Sequence, residues 1–332
     1  MNITNLIQDT QIKMCLYPKL ILNPKYIANK KNGGKPAPIS DIRVKYVPVG
    51  CGNCIECKRQ LARAWQVRLS EEIKDSQGIF VTLSFAPEEL EKLCKEFDVE
   101  ECNAIATIAV RRFLERYRKK YKTSVKHWLI TELGHQNTER IHLHGIIFKK
   151  MANEELQELW KYGNTYTGDY CNQKTINYVV KYVTKVDEKH KDYKQKILCS
   201  PGIGRKYMER PDKNRKIFKG EDTEETYDLP NGNKVNLPIY YRNKIYSENE
   251  REKLWLQKLD KQERYVMGER IDVSTDEGEN EYWSVLKEAQ KKNERMKYGD
   301  DSKAWKKKDY NITLRMLKRA RHLDARNDRP KK

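Results

Sequence analysis

No run in the 332 residues approaches the ~20 consecutive apolar side chains that a membrane-spanning helix needs, which excludes a helical membrane protein. The opening residues, MNITNLIQDTQIKMC, lack the basic-then-apolar order of a secretory signal, so the expectation is a soluble, intracellular chain with no membrane partner. Disulfides rarely persist there, so the 8 Cys read as thiols or metal ligands. A G-x-x-x-x-G-K-[ST] phosphate loop is missing, which argues against an NTP-driven motor within this sequence, and there is no internal repeat. Apolar residues are also scarce. At 38% they fall below the ~45% of ordinary globular chains, so part of the chain is solvated surface or extended arm.

Positive charge, in contrast, is abundant. Lys and Arg number 67 against 48 Asp and Glu, a net charge of +19. Such an excess points to a polyanionic partner, because each phosphate neutralised releases condensed counterions, and nucleic acid leads the candidates. The plainer alternative, that the lysines only keep the chain soluble, carries no partner with it.

Along the chain, residues 1 to about 50 carry scattered Pro, Gly, Asn and Lys and read as loops and short strands. Leu61, Trp65, Leu69 and Ile73 recur every fourth residue, as on one helix stripe. Ile79 to Phe85 is β-branched and aromatic and predicts a strand; Ala86-Pro87 then starts a helix with Glu88 and Glu89 in its first turn. Ile105, Ile108, Phe113 and Tyr117 repeat with helical spacing among Arg111, Arg112, Arg116, Arg118, Lys119 and Lys120, a basic amphipathic helix. Two strands, 127–133 and 141–148, flank a polar turn and predict an antiparallel hairpin. A helix over 153–160, a strand over 165–171 and a helix over 174–186 follow. The order β, α, β, β, α, β, α predicts an α+β fold with an antiparallel sheet. After about residue 220 the sequence becomes charged and periodic and predicts helices with solvated faces, ending in a basic, disordered tail over 326–332. The expected organisation is an N-terminal segment, 1–60, with a Cys-rich knuckle, a central domain, 61–220, and a charged extension, 221–332.

The sharpest chemical signal is Ile141-His142-Leu143-His144-Gly145. Side chains two apart on a strand share a face, so His142 and His144 project together, and only 6 His exist in the chain. Glu132 joins them if the hairpin pairs it with His142, whereas a one-residue slip removes it. His135 competes for the third place but falls in the presumed turn. Two imidazoles and a carboxylate with open positions suit Mg²⁺ or Mn²⁺ handling a phosphate, and by ligand type alone also Zn²⁺. A pair of structural histidines is the bland alternative.

The second constellation is Tyr178-x₃-Tyr182 with Lys181 and Lys185. At about 100° per residue, Tyr178, Tyr182, Lys181 and Lys185 share one helix face. Ile176, Val179, Val180, Val183 and Val186 form the opposite stripe, so the phenols are off the expected core face. Adjacent Lys⁺ favours the phenolate and binds phosphate, while a metal stabilises developing negative charge. Together these residues describe a transesterification in which tyrosine attacks a DNA phosphodiester, leaving a phosphotyrosine and a free 3′-hydroxyl.

The third feature is Cys51-x₂-Cys54-x₂-Cys57 with Cys15 upstream. Four thiolates complete the tetrahedral shell of structural Zn²⁺. The Cys-Pro that would continue an iron–sulfur run is absent after Cys57. Cys94, Cys102, Cys171 and Cys199 are expected to be ordinary buried thiols.

These motifs resemble the replication initiators of gokushovirus-type Microviridae phages, members of the HUH endonucleases. The resemblance runs through Cys51-x₂-Cys54-x₂-Cys57, Arg63 to Arg68, Phe80 to Phe85, Glu132-Leu133-Gly134, His142-Leu143-His144-Gly145 and Trp160-Lys161-Tyr162-Gly163. It continues with Tyr178-x₃-Tyr182 and Lys185, then Ser200 to Gly204, and more weakly with Leu237 to Arg242. It covers residues 15 to about 210, extending to about 245; the surroundings of Lys181 and Thr184 vary in such proteins, and 250–332 resemble nothing recognised. The resemblance implies an antiparallel HUH-type sheet carrying the metal site, with the tyrosine helix beside it. It further implies nicking of one strand of origin DNA for rolling-circle replication in the bacterial cytoplasm. Glu132, His142 and His144 would hold the ion, Tyr178 and Tyr182 would act in turn as nucleophiles, and a host helicase and DNA polymerase would complete the process. The competing expectations are a non-catalytic zinc-containing nucleic-acid-binding protein and an HUH relaxase or transposase.

Overall fold

The computed structural model describes residues 15–134, 139–190, 193–299 and 307–327. His135 and residues 328–332 of the basic tail lie outside them. Two compact units emerge, one from residues 1–64 and 207–304, the other from 65–206 and 305–332. In the first, β1 (Lys19–Leu22) pairs antiparallel with β2 (Tyr46–Val49). Helix α1 (Ile55–Ile73), within which the division falls, starts six residues before the Leu61 stripe that predicts it, so Cys57 stands in its first turn. Trp65 and Leu69 of that stripe are buried; Leu61 is exposed.

The second unit is built on a five-stranded antiparallel sheet of β3 (Ile79–Ser84), β4 (His127–Leu133), β5 (Ile141–Ile147), β6 (Thr165–Thr167) and β7 (Ile197–Cys199), in the spatial order β6-β3-β5-β4-β7. The predicted hairpin is present, and its register sets Glu132 opposite His142. Helices α2 (Pro87–Phe97), α3 (Cys102–Tyr121) and α4 (Asn153–Trp160) supply Phe97, Ile105, Phe113 and Trp160 to a core shared with Val81, Leu83, Leu129 and Leu143 of one sheet face. Each such side chain contributes about 1.5–3 kcal/mol on burial, before the entropy of ordering it. The basic residues of α3 also tie elements together. Arg112 pairs with Glu96 and Asp324, and Arg116 donates to the Leu159 and Trp160 carbonyls. Helix α5 (Gln173–Thr184) opens on a capping box between Asn172 and Thr175 and buries Ile176, Val179, Val180 and Val183, as the helical stripe requires.

Three boundaries differ from expectation. The strand predicted over 165–171 ends at Thr167, since after the bond from Gly168 N to the Phe80 carbonyl the chain turns away to cap α5. Helix α5 stops at Thr184, so Lys185 is extended (φ −62°, ψ 134°) and Val186 lies beyond the helical stripe. Strand β7 has only three residues, too few to show a period, and is held at the sheet edge by pairing with Trp128–Ile130.

The chain after residue 220 holds two hairpins that its charge pattern conceals. Strands β8 (Thr226–Asp228) and β9 (Lys234–Asn236) form one. Past α6 (Ile239–Ile245) and α7 (Glu248–Asp260), β10 (Glu263–Val266) and β11 (Glu269–Asp272) form the other. Helix α8 (Asp276–Arg295) then buries Tyr282, Leu286 and Ala289 in the core of the first unit. Helix α9 (Lys307–Asn327) returns to the second unit, where Leu317 and Ala320 join its core. Residues 326 and 327 of the predicted tail are thus helical. Among the described residues no helix is long and apolar enough to cross a membrane.

Candidate active site and metal centre

The face of the sheet opposite the α2–α4 core carries the polar cluster. Alternation along β3 and β5, with the register Thr82↔His144 and Ser84↔His142, sends Thr82, Ser84, His142 and His144 to that face, and β4 adds Glu132. Nε2 of His142 and of His144 lie 3.4 and 3.1 Å from Oε2 of Glu132. Ligand atoms of all three residues fall within 4.8 Å of one another, a separation at which they could hold one metal ion. Gly145 permits this packing. A Cβ there would sit on the Trp128 carbonyl oxygen and 2.8 Å from the Leu129 Cα, so β4 and β5 approach too closely for any side chain.

The far nitrogens are also held. His142 Nδ1 lies 3.3 Å from the Arg140 carbonyl, which can only accept, so this contact requires the proton on Nδ1 and leaves the Nε2 lone pair facing Glu132. His144 Nδ1 meets the Thr82 hydroxyl at 3.0 Å. Such partners orient imidazoles for metal ligation, and the donor set therefore fits a divalent ion. Burial works against the Glu132 carboxylate, but the hydrogen bonds from His142, His144 and Lys185 outweigh it and hold its pKa well below the usual carboxylate range. Burial likewise lowers the His144 pKa, with Glu132 opposing in part.

The two phenols converge on this cluster. Tyr182 stacks on His144 with ring centroids 4.4 Å apart, and its hydroxyl is hydrogen-bonded to that of Tyr178 at 2.7 Å. Tyr178 is 48% exposed and is steadied edge-on against Phe80. The lysines behave differently from the helix arithmetic. Lys185, having left the helix, places Nζ on Oε1 of Glu132. Lys181 is exposed, and among the described residues its ammonium makes no ion pair. The Tyr182 hydroxyl is consequently pushed up, by burial and by the Tyr178 hydrogen bond, where lysine beside it was expected to favour the phenolate.

Thr82, Phe80 and the Arg140 carbonyl were not singled out in the sequence. Parity along Ile79–Ser84 puts Phe80 and Thr82 on one face, but which face is settled only by pairing with a strand some 60 residues away. The motif Trp160-Lys161-Tyr162-Gly163 proves to be scaffolding: Trp160 Nε1 donates to the Ser84 carbonyl, and Lys161 closes α4 in the left-handed conformation. So does Ser200 to Gly204, whose Gly204 N–H donates to Glu72 and whose Ile203 carbonyl accepts from Arg68.

The first unit carries the thiol cluster. Sγ atoms of Cys15, Cys51, Cys54 and Cys57 lie within 4.8 Å of one another, with Cys51–Cys57 and Cys15–Cys54 at 4.0 Å. A tetrahedral zinc with Zn–S of about 2.3 Å has edges of about 3.8 Å, so the four residues could hold a structural metal such as zinc. Backbone N–H groups of Tyr17, Cys51, Asn53, Cys54 and Cys57 aim at the sulfurs, as thiolates require. Hydrogen bonding with Cys15 lowers the Cys51 and Cys54 thiols. Helix α8 braces the knuckle: Asn293 accepts from Ile55 N–H, and Gln290 donates to the Leu16 carbonyl. The remaining thiols, Cys94, Cys102, Cys171 and Cys199, are only partly buried, a correction to the expectation of buried ones.

Residues 78–187 match the model of a family of replication-associated proteins, the ORF2 type. That stretch is about a third of the chain and holds Glu132, His142, His144 and both tyrosines. It is similar to replication initiators. No curated protein and no solved structure matches the chain.

Proposed function

We propose that the protein is a replication initiator of the HUH endonuclease class, which nicks one DNA strand by tyrosine transesterification to start rolling-circle replication and later rejoins it. The observation that carries this is the convergence of a Glu132–His142–His144 cluster with the hydrogen-bonded hydroxyls of Tyr178 and Tyr182. The family match over 78–187 and the net charge of +19 support the same reading.

In this scheme a tyrosine hydroxyl loses its proton and its oxygen bonds to phosphorus. The bond from phosphorus to the 3′ oxygen breaks, the 3′ oxygen takes up a proton, and the DNA is left as a 5′-phosphotyrosine adduct with a free 3′-hydroxyl. Glu132, His142 and His144 would hold Mg²⁺ or Mn²⁺, which when bound neutralises charge building on the phosphate oxygens. Tyr182 is oriented by its stack on His144, and Tyr178 stands one hydrogen bond away, ready for a second cut. Lys181 is exposed for a phosphate contact. The Cys15, Cys51, Cys54 and Cys57 cluster would hold Zn²⁺ as a structural support. Origin DNA, a host helicase and a host polymerase are the partners proposed, and the bacterial cytoplasm the place.

The test incubates the full chain with Mn²⁺ and single-stranded oligonucleotides tiled across the genome that encodes it. One oligonucleotide should yield a covalent adduct, and the double variant Tyr178→Phe, Tyr182→Phe should yield none. An undiminished adduct in the double variant refutes the assignment of nucleophiles. Tight binding without any adduct supports instead a non-catalytic nucleic-acid-binding protein whose tyrosines stack on bases.

A further inference from the structure

One aromatic side chain of this sheet face has no part in the chemistry above. Tyr166, at the centre of the edge strand β6, is 60% exposed. Its partner in β3 is Thr82, which in turn pairs with His144, so Tyr166, Thr82 and His144 form one cross-strand row on one face. Two strand spacings of about 4.8 Å put Tyr166 roughly 10 Å from the His144 position. Phe80 fills the interval. Its ring lies edge-on to Tyr166 at 6.3 Å and to Tyr178 at 5.7 Å, and stacks near His144 at 6.1 Å.

The row is rigid as well as continuous. Thr165 donates its N–H and hydroxyl to Gln157 Oε1, and its hydroxyl also reaches Asn153 Oδ1. On the other side of Tyr166, Gly168 N–H is bonded to the Phe80 carbonyl. An exposed phenol on a short strand clamped from both sides is a preorganised flat surface. Positive charge borders it: Lys174 and Lys181 are exposed on α5, four residues before and three after Tyr178, and so on the tyrosine side of that helix.

We infer that Tyr166, backed by Phe80, is a stacking platform for a base of single-stranded DNA, set beside the metal cluster so that the strand's phosphates run past the α5 lysines. The inference rests on the reading of this face as one that handles a DNA strand. Stacked DNA rises about 3.4 Å per nucleotide and more when extended, so about one to three nucleotides separate the stacked base from a phosphate at the cluster. Tyr166 would be a positioning residue. Every base has a π-face, so its contribution is tolerant of sequence, while the phosphates supply the charge-dependent part.

The experiment measures binding of a fluorescein-labelled 20-mer of thymidylate, and of a fully abasic 20-mer carrying the same charge, to the full chain in EDTA at 150 mM salt. Tyr166→Ala should weaken binding of the thymidylate strand roughly 5- to 150-fold and leave the abasic strand within about twofold of the unaltered protein. Tyr166→Phe, which keeps the ring, should bind both strands like the unaltered protein. The inference is overturned if Tyr166→Ala weakens both strands equally, weakens neither, or if the unaltered protein does not prefer the strand with bases. Binding is read without metal or cleavage. A protein that shows the Tyr166 effect but never forms an adduct fails the nuclease reading and not this one.

Discussion

The hydroxyls of Tyr178 and Tyr182 lie 2.7 Å apart and share one hydrogen bond, although one phenol is half exposed and the other stacked on His144. Either oxygen can therefore come to a phosphate at the cluster with a shift of a few ångströms. Since misplacement by about 1 Å costs about 10²-fold in rate, the two are expected to differ by no more than about that factor. Tyr178→Phe and Tyr182→Phe should each retain an adduct, located by peptide mass spectrometry on the remaining tyrosine. An adduct that disappears completely in one single variant would assign all nucleophilic attack to that residue and break the symmetry.

Lys185 occupies one oxygen of Glu132 while the two imidazoles face the other. A divalent ion drawn to this carboxylate has to contend with the ammonium. Lys185→Met should accordingly tighten Mn²⁺ binding several-fold, on the order of 1 kcal/mol, in a titration followed by electron paramagnetic resonance or calorimetry. Adduct formation should fall in the same variant if the displaced ammonium goes on to meet the phosphate. Mn²⁺ binding that is unchanged or weaker would show that Lys185 and the ion do not share the carboxylate.

At the thiol cluster, the sulfur separations and backbone donors suit a tetrahedral ion, and the four Cys pack with Ile55, Val266, Tyr282 and Leu286 in one core. Metal removal should therefore unfold structure as well as empty a site, because structural zinc binding carries about 10–16 kcal/mol of apparent free energy in small domains at neutral pH. Metal analysis of the purified chain should find one equivalent of zinc. Cys54→Ser should lose it, together with hydrogen-exchange protection over α8 and the β10–β11 hairpin. Full protection there in a metal-free Cys54→Ser chain would contradict a structural role.

How much of this could be seen in the sequence depended on the range of the interaction involved. The placement of Glu132 beside His142 follows from a two-residue period and a short turn, and the buried stripe of α5 follows from helical spacing, so both were legible. Lys185 was assigned to the tyrosine face by the same helical arithmetic, but the helix ends one residue earlier and the ammonium swings to Glu132. Thr82 and Tyr166 acquire their meaning from pairing across distant segments, which no local pattern reports. The strands after residue 220 are three or four residues long and mostly charged, as in Glu269-Arg270-Ile271-Asp272, so they lack the apolar alternation that marks a strand. The bracing of the Cys knuckle by Asn293 links residues more than 230 apart and was invisible for the same reason.

His127 offers a test through pH. It lies buried at the start of β4, with Nδ1 3.2 Å from the Val125 carbonyl and 3.0 Å from the Ser200 hydroxyl. Burial penalises the imidazolium more than the Val125 carbonyl favours it, so the pKa is lower in the folded chain than in the unfolded one. The unfolded state then binds the proton first. This contribution to stability is complete above the ordinary histidine range, near pH 6.5, and is lost as pH falls below it toward the folded value. His190 works in the opposite sense, because Asp187 and Glu139 raise its pKa and its contribution fades as pH rises. The measurement is therefore a difference. Denaturant midpoints at pH 7.5 and pH 5 should fall further in the unaltered chain than in His127→Gln, which has no proton to gain at that position. Equal falls in the two proteins would mean that His127 is already free to ionise in the folded state.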